Sequence, residues 1–347
     1  MRITANQVTM ARIILLPVPV YLLIYGEALQ WWIAFALFVL LGATDFVDGL
    51  MARKEGPTKL GGLIDPVADK IFVAAIMLSM VAIDLFHPWI ISALLCREFL
   101  MTALRSSVAI RKEAIKTSRL AKLKTIIQMG GCGTIFFTIV LPPQALIYVC
   151  IALAIPFLLV ALIYLIRGNV PPFWALPVGL AFLLVSGVQA FFDKDVVLLV
   201  QMLIIVTITW ASAIDYVVGS YRLFRRTGIW SGDWVRLIWA VVFGLLVAPT
   251  VAYYPVVVMP VLVSMSLEFG IGGIDNIVVV EKMHFLNWPF IVSSCVGLLF
   301  VCLIVGVPYG LGLDYVFYMA LGLSISSSIV CGAFFGRYFD IFKRTLS

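Results

Sequence analysis

The feature that most constrains this chain is the length of its apolar runs. From 145 to 166 the sequence reads ALIYVCIALAIPFLLVALIYLI without a charge, and roughly 20 apolar residues are what a helix needs to cross the hydrocarbon core of a bilayer. Comparable runs recur along most of the 347 residues. In lipid an unpaired backbone N–H or C=O has no water to turn to, so a crossing segment satisfies its own backbone by forming a helix. The composition agrees, with 63% hydrophobic and 12% charged residues, where a soluble domain has about a quarter charged. The expected fold class is all-α, a polytopic transmembrane helical bundle.

Eight spans are expected at about 13–25, 31–48, 63–85, 88–107, 125–141, 145–166, 173–191 and 196–220. Beyond them lie a stretch broken by Pro249 and Pro255, read as a short hairpin, and two more runs at 289–307 and 311–335. Seven basic residues, Arg105, Arg111, Lys112, Lys116, Arg119, Lys122 and Lys124, stand against the single acid Glu113 in the connector after the fourth span. Loops rich in Lys and Arg stay in the cytoplasm, and the other connectors alternate with that assignment. About twelve spans then put both termini in the cytoplasm. The excess of Lys and Arg, 24 against 18 acids, is topology information first and a sign of contact with anionic membrane lipids second.

Other chemistry is narrowed by what is scarce. Six cysteines sit inside apolar runs with no paired spacing, so they read as packing residues. Two histidines, His87 and His284, leave no His-based metal site. No nucleic-acid module is legible, and the first apolar run is not followed by a convincing signal-peptide cleavage site.

Polarity concentrates in DFVDGLMARKEGPTKLGGLIDPVAD, residues 45–69, between the second and third spans. Asp45 and Asp48 are three apart and Asp65 and Asp69 four apart, each pair on one face of a helix. A bare Asp inside a membrane costs roughly 2.5–3.5 kcal/mol, so four together call for cations. Oxygen ligands without His or Cys select Mg²⁺ or Mn²⁺, and four carboxylates suffice for two ions. Two ions are the common device for displacement at phosphorus. Gly49 and Ala52 keep one helix face small, Arg53 offers a donor fork to a phosphate, and Gly56 and Pro57 interrupt the helix.

This stretch resembles the signature of the CDP-alcohol phosphatidyltransferase family. All eight signature positions are filled, by Asp45, Asp48, Gly49, Ala52, Arg53, Gly61, Asp65 and Asp69. The spacer 54–60 is one residue shorter than the family's commonest length. The resemblance implies that Asp45, Asp48, Asp65 and Asp69 hold two metal ions and that Asp69 is also the catalytic base. It further implies that Asp45, Gly49, Ala52, Arg53 and Gly61 meet the CDP group. The runs REFLMTALR (97–105) and SRLAKLKTIIQM (118–129), with Asn6, Thr9, Arg12 and Pro17, resemble the bacterial branch whose acceptor is sn-glycerol 3-phosphate. In that branch phosphatidyl transfer from CDP-diacylglycerol releases CMP, and Arg105, Arg119, Lys122 and Lys124 become the candidates for the acceptor phosphate. The same chemistry with inositol, inositol phosphate or serine is the alternative; a transporter or binding protein with a decayed enzyme domain is another. Family likeness also implies a homodimer, and a bacterial inner-membrane enzyme with its site at the cytoplasmic face.

The expected organisation is a catalytic membrane domain at 1–227, with an extra hairpin at about 145–191, and an appended helical domain at 228–347 with no recognised motif. Glu268, Asp275, Asn276 and Glu281 in it are either a second site or a polar connector. Arg12 taken alone reads as an interfacial residue with its charge turned to water. Arg97 and Glu98, adjacent on a helix, point apart and are expected to find partners on other helices, with a structural ion pair as the plainer reading.

Overall fold

The structure is a computed structural model that describes residues 4–56, 59–111 and 119–280. Among them every regular element is a helix. In chain order these are α1 (Ala5–Leu15), α2 (Pro17–Tyr25), α3 (Ala28–Glu55), α4 (Lys59–Ala82), α5 (Pro88–Ile110) and α6 (Arg119–Val140). There follow α7 (Pro143–Ile166), α8 (Ala175–Phe191), α9 (Lys194–Ala211), α10 (Ile214–Thr227), α11 (Ser231–Tyr253), a single 3-10 turn at Pro255–Val257, and α12 (Val258–Val280).

Prolines start several of these helices. Pro17, Pro88 and Pro143 stand in the first turns of α2, α5 and α7, where the missing N–H has no helical partner in any case. Gly56 closes α3 with φ +92°, a conformation that side chains disfavour. Among the described residues five stretches are long and apolar enough to cross a membrane: Ala5–Tyr25, Ala28–Met51, Pro143–Ile166, Lys194–Thr227 and Ser231–Tyr253. The chain is an integral membrane protein of the helical-bundle kind.

One detail departs from the sequence reading: Pro249 lies inside α11, so of the two expected breaks only the one at Pro255 interrupts the helix, at the 3-10 turn. The segment from Glu268 continues α12 as helix to Val280. The expected runs at 289–307 and 311–335 lie outside the described residues.

The described residues group into two compact units, one drawn from 1–114 and 222–347, the other from 115–221. In the first, α1 packs on α3 and α4, while α11 and α12 pack on α5 and α4. Helices α11 and α12 therefore share a unit with the helices that carry the signature. The seam between α5 and α11 is antiparallel. Ser92 Oγ donates to Leu245 O at 3.0 Å, Cys96 Sγ to Val241 O at 3.7 Å, and Arg111 Nη2 to Asp233 Oδ2 at 2.5 Å. A Cβ on Gly244 would stand 2.3 Å from Cys96 Cα, so only glycine lets the two backbones come this close. In the second unit α6 packs on α9 and α7 on α8, and Gln201 Nε2 donates to Thr138 Oγ1 at 2.8 Å.

Candidate active site

The site is built where the C-terminal part of α3 and the N-terminal part of α4 meet α1. Helical spacing puts Asp45 and Asp48 on one face of α3, and Asp65 and Asp69 on one face of α4. Pro66 removes a backbone donor in the turn between the latter two. Asp48 is buried, its side chain 6% exposed, whereas the side chains of Asp45 and Asp69 are 45% and 40% exposed.

Helix α1 supplies what holds them. Arg12 is buried, its side chain 1% exposed, and its Nη1 lies 3.1 Å from Asp45 Oδ1 and 3.3 Å from Asp69 Oδ1. Nη2 is 3.9 Å from Asp48 Oδ2. Thr9, one helical turn earlier, places Oγ1 2.8 Å from Asp48 Oδ2 and 3.2 Å from Asp65 Oδ1. One hydroxyl proton serves one acceptor at a time, and the shorter contact favours Asp48. Thr9 and Arg12 thus touch all four signature carboxylates from a single helix face.

The sequence reading of Arg12 as an interfacial residue is corrected here: its guanidinium lies among the acids, away from water. Thr9 stands out in the sequence only as part of an opening pattern. The signal available was the spacing T-x-x-R on one face, set against four acids in need of positive charge. Arg97 and Glu98 form the structural ion pair that is the plainer reading of two such charges. Both are buried, and Arg97 Nη1 donates to Glu98 Oε1 at 3.1 Å within the same helix.

The other candidates fall as follows. Gly49 sits on α3 with open space where a Cβ would be. Ala52 and Arg53 lie in the last turns of α3, and Gly61 is buried in the first turn of α4. Arg105 is on α5 and exposed. Arg119, Lys122 and Lys124 occupy the first turns of α6, in the other compact unit from the carboxylates. Glu268, on α12, accepts from Trp239 Nε1 of α11 at 3.1 Å, while Glu281 lies outside the described residues.

A divalent cation fits this donor set. Four carboxylates share one guanidinium and one hydroxyl, all the available ligands are oxygens, and Asp69 Oδ1 is buried without a hydrogen-bond donor. Among the described residues no three acidic, His or Cys side chains are already gathered as a ligand cage.

Fold and site together describe a helical membrane protein with an acidic centre shared by two neighbouring helices and braced by a third. The chain belongs to the CDP-alcohol phosphatidyltransferase family, whose model matches residues 2–160. A Rickettsia typhi protein named CDP-diacylglycerol--glycerol-3-phosphate 3-phosphatidyltransferase is 37% identical over 146 residues, covering 39% of this chain and 82% of its own length. The protein of that name from Bacillus subtilis is 34% identical over 139 residues, covering 36% of this chain and 71% of its own. A Mycobacterium tuberculosis protein named probable phosphatidylglycerophosphate synthase is 34% identical over 133 residues, covering 37% of this chain and 63% of its own. No solved structure matches the chain.

Proposed function

We propose that the protein transfers the phosphatidyl group of CDP-diacylglycerol to sn-glycerol 3-phosphate, giving phosphatidylglycerophosphate and CMP in phospholipid biosynthesis. The observation that carries this reading is the convergence of Asp45, Asp48, Asp65 and Asp69 on the α1 face of Thr9 and Arg12. The names of the relatives support the acceptor.

In the reaction a hydroxyl oxygen of the acceptor bonds to the phosphorus bearing the diacylglycerol, and the bond from that phosphorus to the CMP oxygen breaks. Asp69, part exposed and on the α4 face of the site, accepts the hydroxyl proton. Asp45, Asp48, Asp65 and Asp69 would hold two divalent ions, Mg²⁺ or Mn²⁺, which neutralise charge on the phosphates and on the departing CMP. Gly49 leaves room for the nucleotide beside α3, with Asp45, Ala52, Arg53 and Gly61 as its neighbours. Arg105, Arg119, Lys122 and Lys124 bind the acceptor phosphate, for which cationic forks and point charges are suited.

The reading extends to twelve spans with both termini in the cytoplasm, and to a bacterial inner membrane with the site at its cytoplasmic face. It also includes a homodimer, chemistry confined to residues 1–227 with the extra hairpin at about 145–191, and a non-catalytic helical domain at 228–347. The test is CMP release by purified protein in lipid vesicles, offered CDP-diacylglycerol and one acceptor at a time. Release with glycerol 3-phosphate and not with inositol, inositol phosphate or serine is expected. Release with one of those instead reassigns the acceptor, and none with any acceptor removes the enzyme reading.

A further inference from the structure

Arg12 is an unusual way to neutralise four acids. A structural guanidinium has five N–H donors to place, yet Arg12 makes a single hydrogen bond, Nη1 to Asp45 Oδ1 at 3.1 Å. Its Nε and Nη2 are buried and without hydrogen-bond partners. It sits near Asp45, Asp48 and Asp69 through charge alone for the latter two, at 3.9 and 3.3 Å. That is how a diffuse positive charge behaves when it fills a place between carboxylates without being matched to their geometry.

The charge balance points the same way. One guanidinium leaves four carboxylates largely uncompensated, so the cluster still attracts cations. Divalent ions among the same acids would compensate them, and would repel a guanidinium within a few ångströms. The positive charge of Arg12 and that of the ions compete for one set of oxygens. Thr9 is neutral and lies against Asp48 and Asp65, so its contacts survive that change.

We propose that Arg12 is a resident counter-cation: it holds the signature carboxylates together in the ion-free protein and gives up its place when divalent ions bind. Ion binding is then an exchange of one cation for others. This rests on the reading of Asp45, Asp48, Asp65 and Asp69 as the ion ligands. Arg12 is a positioning residue here, acting through the carboxylates.

The test is Mn²⁺ binding to the full-length protein in lipid nanodiscs without substrates, read from the electron paramagnetic resonance of free Mn²⁺. Removing the competing charge in Arg12→Gln is expected to tighten Mn²⁺ binding by at least about tenfold. Arg12→Lys, which keeps the charge but has a compact ammonium in place of the fork, should fall between Gln and wild type. Without ions, Arg12→Gln should also unfold at a lower temperature than wild type, and Mn²⁺ should raise that temperature more in the variant. Unchanged or weaker Mn²⁺ affinity in a folded Arg12→Gln protein overturns the proposal. If Arg12→Gln does not fold, Arg12→Lys decides in the same way: tighter binding supports exchange, and equal or weaker binding overturns it. CMP release by wild type, measured alongside, keeps the two readings apart. Release with unchanged Mn²⁺ affinity in the variants refutes only the exchange, and tighter Mn²⁺ binding without any release refutes only the transferase reading.

Discussion

Two arginines in the same compact unit have buried side chains next to acids, and their surroundings differ in kind. Arg111 places all five N–H groups: Nε on Thr227 Oγ1 at 2.9 Å, Nη1 on Ser107 O at 2.8 Å and Asp233 Oδ1 at 3.2 Å, and Nη2 on Gly228 O at 2.9 Å and Asp233 Oδ2 at 2.5 Å. The rings of Phe224 and Trp230 lie 4.7 and 4.3 Å from its Cζ. Asp233 also accepts from the backbone N–H of Trp230 at 2.9 Å, capping α11. Arg12 has three acids near it and one hydrogen bond. A saturated guanidinium closes off its partners, whereas an unsaturated one leaves them available. Saturation belongs to architecture and its absence to a place where ligands come and go.

The contrast is broken most directly at Arg111. Removing one partner of a buried, hydrogen-bonded ion pair costs about 3–5 kcal/mol. Arg111→Ala is expected to lower stability on that scale, seen in thermal or denaturant unfolding, with Mn²⁺ affinity unchanged. A large loss of Mn²⁺ binding by folded Arg111→Ala would erase the distinction between the two arginines.

At the acidic centre, Asp69→Asn keeps shape and one ligand oxygen but takes no proton. A loss in kcat of at least about a hundredfold is expected, with CDP-diacylglycerol binding weakened less, because three other acids remain. Wild-type turnover at saturating metal would take Asp69 out of the chemistry. Smaller again is Gly244→Val, which forces a side chain onto the α5 backbone at Cys96. About 1–3 kcal/mol of stability should be lost by overpacking, while CMP release per folded molecule stays within about twofold. Loss of turnover without loss of fold would place the C-terminal helices inside the catalytic machinery. The mildest is Lys122→Glu or Lys124→Glu, expected to raise KM for glycerol 3-phosphate about tenfold and KM for CDP-diacylglycerol far less. An equal effect on both would assign these lysines to topology or lipid contact.

What the sequence disclosed follows from distance along the chain. The pairing of Asp45 with Asp48 and of Asp65 with Asp69 is a property of one helix turn, so it was legible, as were the helical class and α5 almost to its ends. The place of Arg12 depends on α1 crossing α3 and α4, which no local spacing encodes. Yet four acids without a cation were themselves a sign that one had to come from elsewhere. Arg97 and Glu98 show where helix geometry alone says too little. Backbone direction alone sends neighbours apart, but both side chains are long enough to bend back and meet at 3.1 Å in a setting without water. The seat of α11 on α5 was illegible because Gly244 looks like any other glycine until the facing backbone is known.

That seat has a mechanical consequence. Between Ser92 and Arg111 the bonds to α11 are spread over about 28 Å of α5. A rod fastened to a splint at two neighbouring points near its top and again at its foot can neither slide nor swivel by itself. Any displacement of the Arg105 end of α5 has to carry α11 with it, so that stretch of the protein is stiff by construction and its freedom to move lies elsewhere.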